Sequence, residues 1–514
     1  MRKWVLKSCL FACGFVVIFI MVQKILVCQD GYAYKSWMDY EKMEEDSVQC
    51  IMLGTSHVCF SFCPQYLYNE EKITSYNLGA AVLNMRQMYY RLEEAYKTQN
   101  PEIVIVDVGP LFYTDEVIEN NADIMSMSDT KIKYAYSYAE SDKEGDFNED
   151  FWGTLFPLYK YHSKWSSISE DNFIFIKGNE YHNKGQYEAV RNRSYDITVE
   201  TMNDEISQID AFDENLYKPE ISDENIGFLL AIKELCDAHG SKLLLTKIPV
   251  ISSVRYYTTV WTQERYNKVR EMADSYGIDY WDILYESDWD LDARISYCDD
   301  GHMNIRGAEA TTEIIGKYLR EHYDLEYKTD AQYEETEVYD KVQTVTKIEN
   351  EYDMTEYLKK LDAIKNESVI VVAVREDMVS GLNDEDKKYL DNLGLSYSLS
   401  DDNMNKAYVA VIEKGKVTYE KSSAEKIDYE FEMNGKSFEI ESSGYWTGSK
   451  VKIMYDQNDY AVNSYGMNIV VLDTESNLLI DSVALNPILD RPHGVAHTDK
   501  IQSLYEKYRD WATN

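Results

Sequence analysis

The chain has 514 residues, of which 44% are hydrophobic and 13% aromatic, and a formal net charge of −39. That length exceeds what one core supports and points to two or three domains, while the apolar content excludes wholesale disorder. The charge excludes nucleic acid as a partner, since phosphate binding needs clustered Lys and Arg; it disfavours lying on an anionic membrane surface and reads as a solvated acidic exterior.

The N-terminus carries Arg2, Lys3 and Lys7, then an uncharged apolar run over 8–22 that resumes at Ile25-Leu26-Val27. With Lys7 and Lys24 snorkelling, residues 4–27 are long enough to cross a bilayer of about 30 Å. No small-x-small cleavage site precedes Asp30, and Val27 stands where a lipoprotein cysteine at position 28 would need a small neighbour. Residues 1–28 are therefore read as an uncleaved signal anchor. The basic end stays cytoplasmic and the bulk of the chain lies outside the cell membrane.

After a polar and aromatic lead-in, strand signals occur at 50–54, 74–78, 103–108, 242–248 and 278–283. Helical patterns at 83–96, 225–239 and 262–276 separate several of them. Such alternation predicts an α/β fold with a flavodoxin-like, doubly wound parallel sheet of about five strands. Residues 111–224 interrupt it with a long, tyrosine-rich, irregular insertion, expected to cover the active site and shape the substrate cleft.

Three strand ends carry candidate chemistry. The first reads Gly54-Thr55-Ser56-His57, a serine delivered into a strand-to-helix turn, where an N-cap role is the plain alternative. The second, Tyr76-Asn77-Leu78-Gly79, places a glycine where backbone can approach a ligand. Far downstream, Asp299-Asp300-Gly301-His302 sits at the mouth of a helix, so one short loop presents Asp299 and His302 together.

This set, in this order and spacing, resembles the SGNH (GDSL-like) esterase and acyltransferase superfamily, in particular its membrane-anchored bacterial cell-surface branch. The resemblance covers roughly 49–323. It implies Ser56 as nucleophile, His302 as general base, Asp299 orienting His302, and the backbone N–H groups of Ser56 and Gly79 in the oxyanion hole. Asn77 belongs to the same substrate-side block, and His57 is a rim contact. One departure stands out. The family's third block supplies an asparagine donor, whereas Val106-Asp107-Val108-Gly109-Pro110 has none, and a carboxylate cannot donate unless protonated.

Residues 328–351 are charged, without apolar periodicity, and read as a linker. Over 352–514 short alternating runs and frequent turns predict a strand-rich α+β domain closed by a helix at 499–511. The runs SVIVVAVRED, DYAVNSYGMNIVVLD and LLIDSVALN resemble the ILEI/PANDER-type domain, which implies a non-catalytic module suited to glycans. The abundant tyrosines fit sugar-binding faces or core equally.

The eight cysteines form no disulfide framework and no zinc spacing. Buried free thiols are expected, with a bridge from Cys63 to Cys59 or to Cys298 as the alternative. No cofactor or metal is implied. The expected function is a surface-anchored esterase or O-acetyltransferase (residues 31–327) acting on an acylated glycan, with a membrane acyl-donor protein as a partner for transfer. The alternatives are a catalytically inactive glycan-binding scaffold and a lipid-ester hydrolase.

Overall fold

The computed structural model describes residues 2–27, 32–113, 124–141, 145–173, 220–249, 260–287, 291, 296–297, 302–334, 348, 351–395, 403–433, 435–474, 479–489 and 494–497. The chain divides between residues 336 and 337 into two compact units.

The first unit opens with α1 (Arg2–Leu26) and α2 (Tyr32–Tyr40), then alternates strand and helix. In chain order follow β1 (Cys50–Leu53), α3 (Ser56–Ser61), α4 (Pro64–Glu71), β2 (Ser75–Asn77), α5 (Met85–Ala95) and β3 (Ile103–Asp107). The insertion contributes α6 (Asp129–Ser141), α7 (Phe147–Leu155) and α8 (Pro157–Tyr161). The unit then continues through α9 (Asp223–His239), β4 (Lys242–Thr246), α10 (Val260–Tyr276), β5 (Asp279–Trp281) and α11 (Ile305–His322).

The five strands pair in the order β2-β1-β3-β4-β5, all parallel. This is the doubly wound order expected, with its switch point between β1 and β3. The strands are continuous apolar runs because both faces are covered, and successive side chains alternate between two cores. Ile51, Leu53, Val104 and Val106 pack with Leu92, Leu229 and Val269 on one face. Cys50, Met52, Ile103 and Ile105 pack with Val58, Phe62, Leu67, Ile315 and Leu319 on the other. Each fully buried Leu or Ile contributes roughly 1.5–3 kcal/mol by transfer from water.

Helix ends follow local chemistry. Asn84 and Gln87 form a capping box at the start of α5. Ser222 caps α9, which ends on Gly240 in the left-handed region at φ 77°.

Two expectations are revised. The described part of the insertion is helical rather than irregular, and it packs on α5 and on the end of α1. Of the insertion 111–224, expected as a whole to cover the active site, residues 114–123, 142–144 and 174–219 lie outside the described residues. The predicted linker is also not free from its start. Tyr333 is fully buried, donates to Ser75 O at 2.5 Å, and its carbonyl accepts from Gln65 Nε2 at 2.8 Å.

The second unit is strand-rich, as expected, with α12 (Met354–Ile364) and α13 (Asp384–Asn392) beside one sheet. Its strands are β6 (Ser368–Glu376), β7 (Ala407–Glu413), β8 (Lys416–Ser423), β9 (Ile427–Met433), β10 (Lys436–Gly444), β11 (Val451–Tyr455), β12 (Asn458–Asp459), β13 (Gly466–Asp473), β14 (Leu479–Leu485) and β15 (Val495–His497). The central path runs β12-β11-β10-β6-β13-β14-β15, with β7 on β6, β8 on β7 and β9 on β10. Pairings are antiparallel except β6 with β10. An aromatic ladder crosses it, with Tyr419 stacked on Tyr429 at 3.6 Å and Phe431 on Phe438 at 4.4 Å. The predicted C-terminal helix lies outside the described residues.

Candidate active site

The site is built at the carboxyl end of β1. Thr55, not Ser56, caps α3: its Oγ1 accepts from His57 N at 3.3 Å. The plain N-cap alternative for the serine is thereby removed. As the first residue of α3, Ser56 has a backbone N–H with no partner inside the helix. Gly54 is demanded by close approach, since a Cβ there would lie 2.2 Å from Val58 Cγ2 and 3.0 Å from Asp107 Cβ.

The Ser56 hydroxyl meets His302, with Oγ 2.8 Å from Nε2. In the tautomer protonated on Nδ1, Nε2 accepts the serine proton. The histidine is presented by a loop whose base is pinned on both sides. Tyr297 and Met303 form an antiparallel bridge, Asn304 N donates to Ser296 O at 3.0 Å, and Tyr297 Oη donates to Pro249 O at 2.8 Å. Asn304 then caps α11 through Gly307 N at 3.1 Å. Helix α11 is tied back to the serine helix region by Thr312 Oγ1, which accepts from Cys63 N at 2.9 Å.

The Phe60 ring lies 4.4 Å from the His302 ring, and the His57 ring 5.6 Å away on a tilted face. His57 thus stands beside the pair. Asp299, expected to orient His302, lies outside the described residues.

The β2 end differs from the oxyanion reading. Asn77 is fully buried, and its amide donates to Val58 O at 2.9 Å and Phe62 O at 3.3 Å. Its Oδ1 accepts from Gly79 N at 3.0 Å. The carboxamide therefore fastens α3 to β2, and the Gly79 N–H expected to face an oxyanion is engaged within the protein. Gly79 is also needed for space, because a Cβ would stand 2.9 Å from Cys59 Sγ.

At the third strand end Asp107, which stands in place of the family's asparagine, meets a residue the motifs did not single out. Lys247, directly after β4, reaches Asp107, with Nζ 3.6 Å from Oδ1, and both side chains are nearly or fully buried. Asp107 Oδ1 also accepts from Ile248 N at 3.1 Å, and Oδ2 is buried without a hydrogen bond among the described residues. Burial alone would push the Lys247 ammonium down. The Asp107 carboxylate, with smaller contributions from Tyr266 and Tyr113, outweighs this and holds it above the usual lysine value. Tyr113 lies against the Thr55 side chain, and burial followed by the Asp107 charge holds its phenol protonated above the usual value. A lone lysine ending an apolar strand, at Thr246-Lys247-Ile248, was the signal available for this pair.

Cys50, Cys59, Cys63 and Cys236 are buried, with no bridge between Cys59 and Cys63, and Cys298 lies outside the described residues. Among the described residues no group of His, Cys, Asp or Glu is set to hold a metal.

Residues 327–416 match the family described as ILEI, interleukin-like EMT inducer. The chain carries an ILEI domain. The match begins ahead of the division between the two units, within the stretch that Tyr333 pins to the first. Two solved structures are similar to the chain. One is a candidate acylhydrolase from Bacteroides fragilis NCTC 9343, at 11% identity and TM-score 0.27, covering 56% of this chain and 94% of that one. The other is a GDSL-like lipase from Bacteroides thetaiotaomicron VPI-5482, at 11% identity and TM-score 0.27, covering 57% of this chain and all of that one. No curated protein matches.

Proposed function

We propose that the chain is an SGNH-type serine esterase or O-acyltransferase, anchored at the cell surface and acting on acyl groups, acetyl first, of envelope or secreted polysaccharide. The observation that carries this reading is the 2.8 Å contact of Ser56 Oγ with His302 Nε2 at the carboxyl end of a parallel sheet. A free serine hydroxyl is almost never ionised at neutral pH and needs such a base.

His302 takes the Ser56 proton as Oγ attacks the ester carbonyl. The Ser56 N–H stabilises the developing oxyanion, at about 3–4 kcal/mol for a well-placed donor. The proton passes from His302 to the departing sugar oxygen, leaving an acyl-serine. Water or a second sugar hydroxyl then attacks, again deprotonated by His302. Asp299 holds the Nδ1 proton in this scheme. Anchoring rests on α1, whose stretch Trp4–Leu26 has a mean hydropathy of 2.5. For transfer, a membrane acyl-donor protein supplies the acyl group.

The scaffold reading is favoured by one observation, the absence of a side-chain amide donor at Asp107 together with the engagement of the Gly79 N–H. The test is acetate release from a chromogenic acetyl ester and from acetylated xylan or peptidoglycan, by the full chain and by Ser56→Ala. Loss of about 10⁴-fold or more in kcat on substitution is expected. Equal background release by both folded proteins would leave the scaffold reading standing. Added glycan acceptor then separates transfer from hydrolysis.

A further inference from the structure

Helix α1 is not a free tether. Its first part is bare, with Trp4, Phe11 and Ile18 exposed by 77%, 77% and 63%. Its last two turns are built into the first unit. Leu26 and Val27 are buried, Gln23 Oε1 accepts from Leu158 N at 2.7 Å, and Asn172 Nδ2 donates to Ile25 O at 2.8 Å. Where these turns meet α2, residues 124–127 and the start of α8, they leave a cavity of about 610 Å³. That is within the range of small-molecule sites, about 300–1,000 Å³.

The chemistry of the walls is two-sided. Phe19, Ile20, Met38, Met125, Leu155 and Phe156 supply apolar surface. Lys24, Lys42 and Lys131 also line it against a single acidic residue, Glu41, in a chain whose net charge is −39. Gln23 is a further wall residue, and its Nε2 is buried and without a hydrogen bond among the described residues. A buried amide donor of this kind calls for an acceptor oxygen. The depth fits as well. About 20 helical residues span the hydrocarbon, so a span starting at Trp4 brings Lys24 to the headgroup level, with Phe19 and Ile20 one turn below.

We propose that this cavity seats an anionic glycerophospholipid of the outer leaflet, one acyl chain among Phe19, Met38 and Phe156, its ester and phosphate oxygens facing Gln23 Nε2, Lys24 and Lys42. This rests on the reading of α1 as a retained membrane span. The bound lipid fills the joint between anchor and catalytic unit and fixes the unit against the bilayer.

The test uses the full chain in lipid nanodiscs carrying a photoreactive phosphatidylglycerol, or the matching phosphatidylcholine at equal fraction. Intact mass of the membrane-extracted chain is read first. Loss of α1 would overturn the proposal together with the anchor reading, whereas a full-length mass leaves the lipid site to be judged alone. Phosphatidylglycerol is expected to attach to peptides around residues 124–127 and 155–157. Lys24→Gln with Lys42→Gln should reduce that labelling by about fivefold per lysine, and Met38→Trp should reduce it by filling the space. Ester hydrolysis at Ser56 serves as the fold control. Equal labelling by phosphatidylcholine, or labelling untouched by both variants, would overturn the site.

Discussion

Asp107 and Lys247, at the carboxyl ends of neighbouring parallel strands, form a buried ion pair with Nζ 3.6 Å from Oδ1. The pair is neutral as a whole, and it stands where the resemblance would place an amide. Removing one partner leaves an uncompensated buried charge. Lys247→Met is expected to cost about 3–5 kcal/mol in urea unfolding, and adding Asp107→Asn should restore much of it. The asparagine retains the oxygen that accepts from Ile248 N.

Gly54→Ala is expected to lower kcat/KM about 100-fold with a smaller effect on folding, because the new methyl displaces the turn that aims Ser56. The methyl would lie 2.2 Å from Val58 Cγ2. Val58→Ala in the same chain should therefore recover part of the activity, a rescue that general destabilisation would not show.

Asn77 separates a fastening role from a substrate role. Asn77→Ala strands Phe62 O and Gly79 N and removes the second donor to Val58 O, which still accepts from Phe62 N. A loss of about 2–4 kcal/mol is expected by thermal or urea unfolding. KM measured well below the melting temperature should barely change, whereas a residue touching substrate would raise it.

Much of this was legible in the sequence, and for stated reasons. Strands buried on both faces are unbroken apolar runs, so β1 and β3 were visible, and a serine and a histidine at strand and helix mouths mark a pair whatever lies between. Side-chain direction was not legible. Asn77 reads the same whether it faces a ligand or the α3 backbone, and only the fold shows it turned inward. Nothing in the run Thr246-Lys247-Ile248 tells a solvated lysine from one turned onto a buried carboxylate. Residues 328–334 lack apolar periodicity, yet the single Tyr333, buried under Tyr68, fixes them.

Alkaline stability should report on Cys236, which burial raises from 9.0 to about 11. Above about pH 9 the unfolded thiol ionises while the folded one stays protonated, so stability falls across pH 9–11. The raised value corresponds to about 3 kcal/mol in all. Between pH 8 and pH 10.5, Cys236→Ala should lose less unfolding free energy than the wild type in urea titrations.

Phe60 rests on the His302 ring at 4.4 Å. Phe60→Ala should lower kcat about tenfold with KM little changed, as expected when a base is held less firmly. Phe60→Tyr should retain most of the rate.

The reacting pair joins residues 246 positions apart. At ribosomal rates the histidine emerges roughly 10–50 s after the serine. Throughout that interval the hydroxyl has no base and is an ordinary alcohol. A nascent chain halted before α11 therefore lacks the base, and on the proposed reading ester cleavage begins only when α11 has closed onto α3.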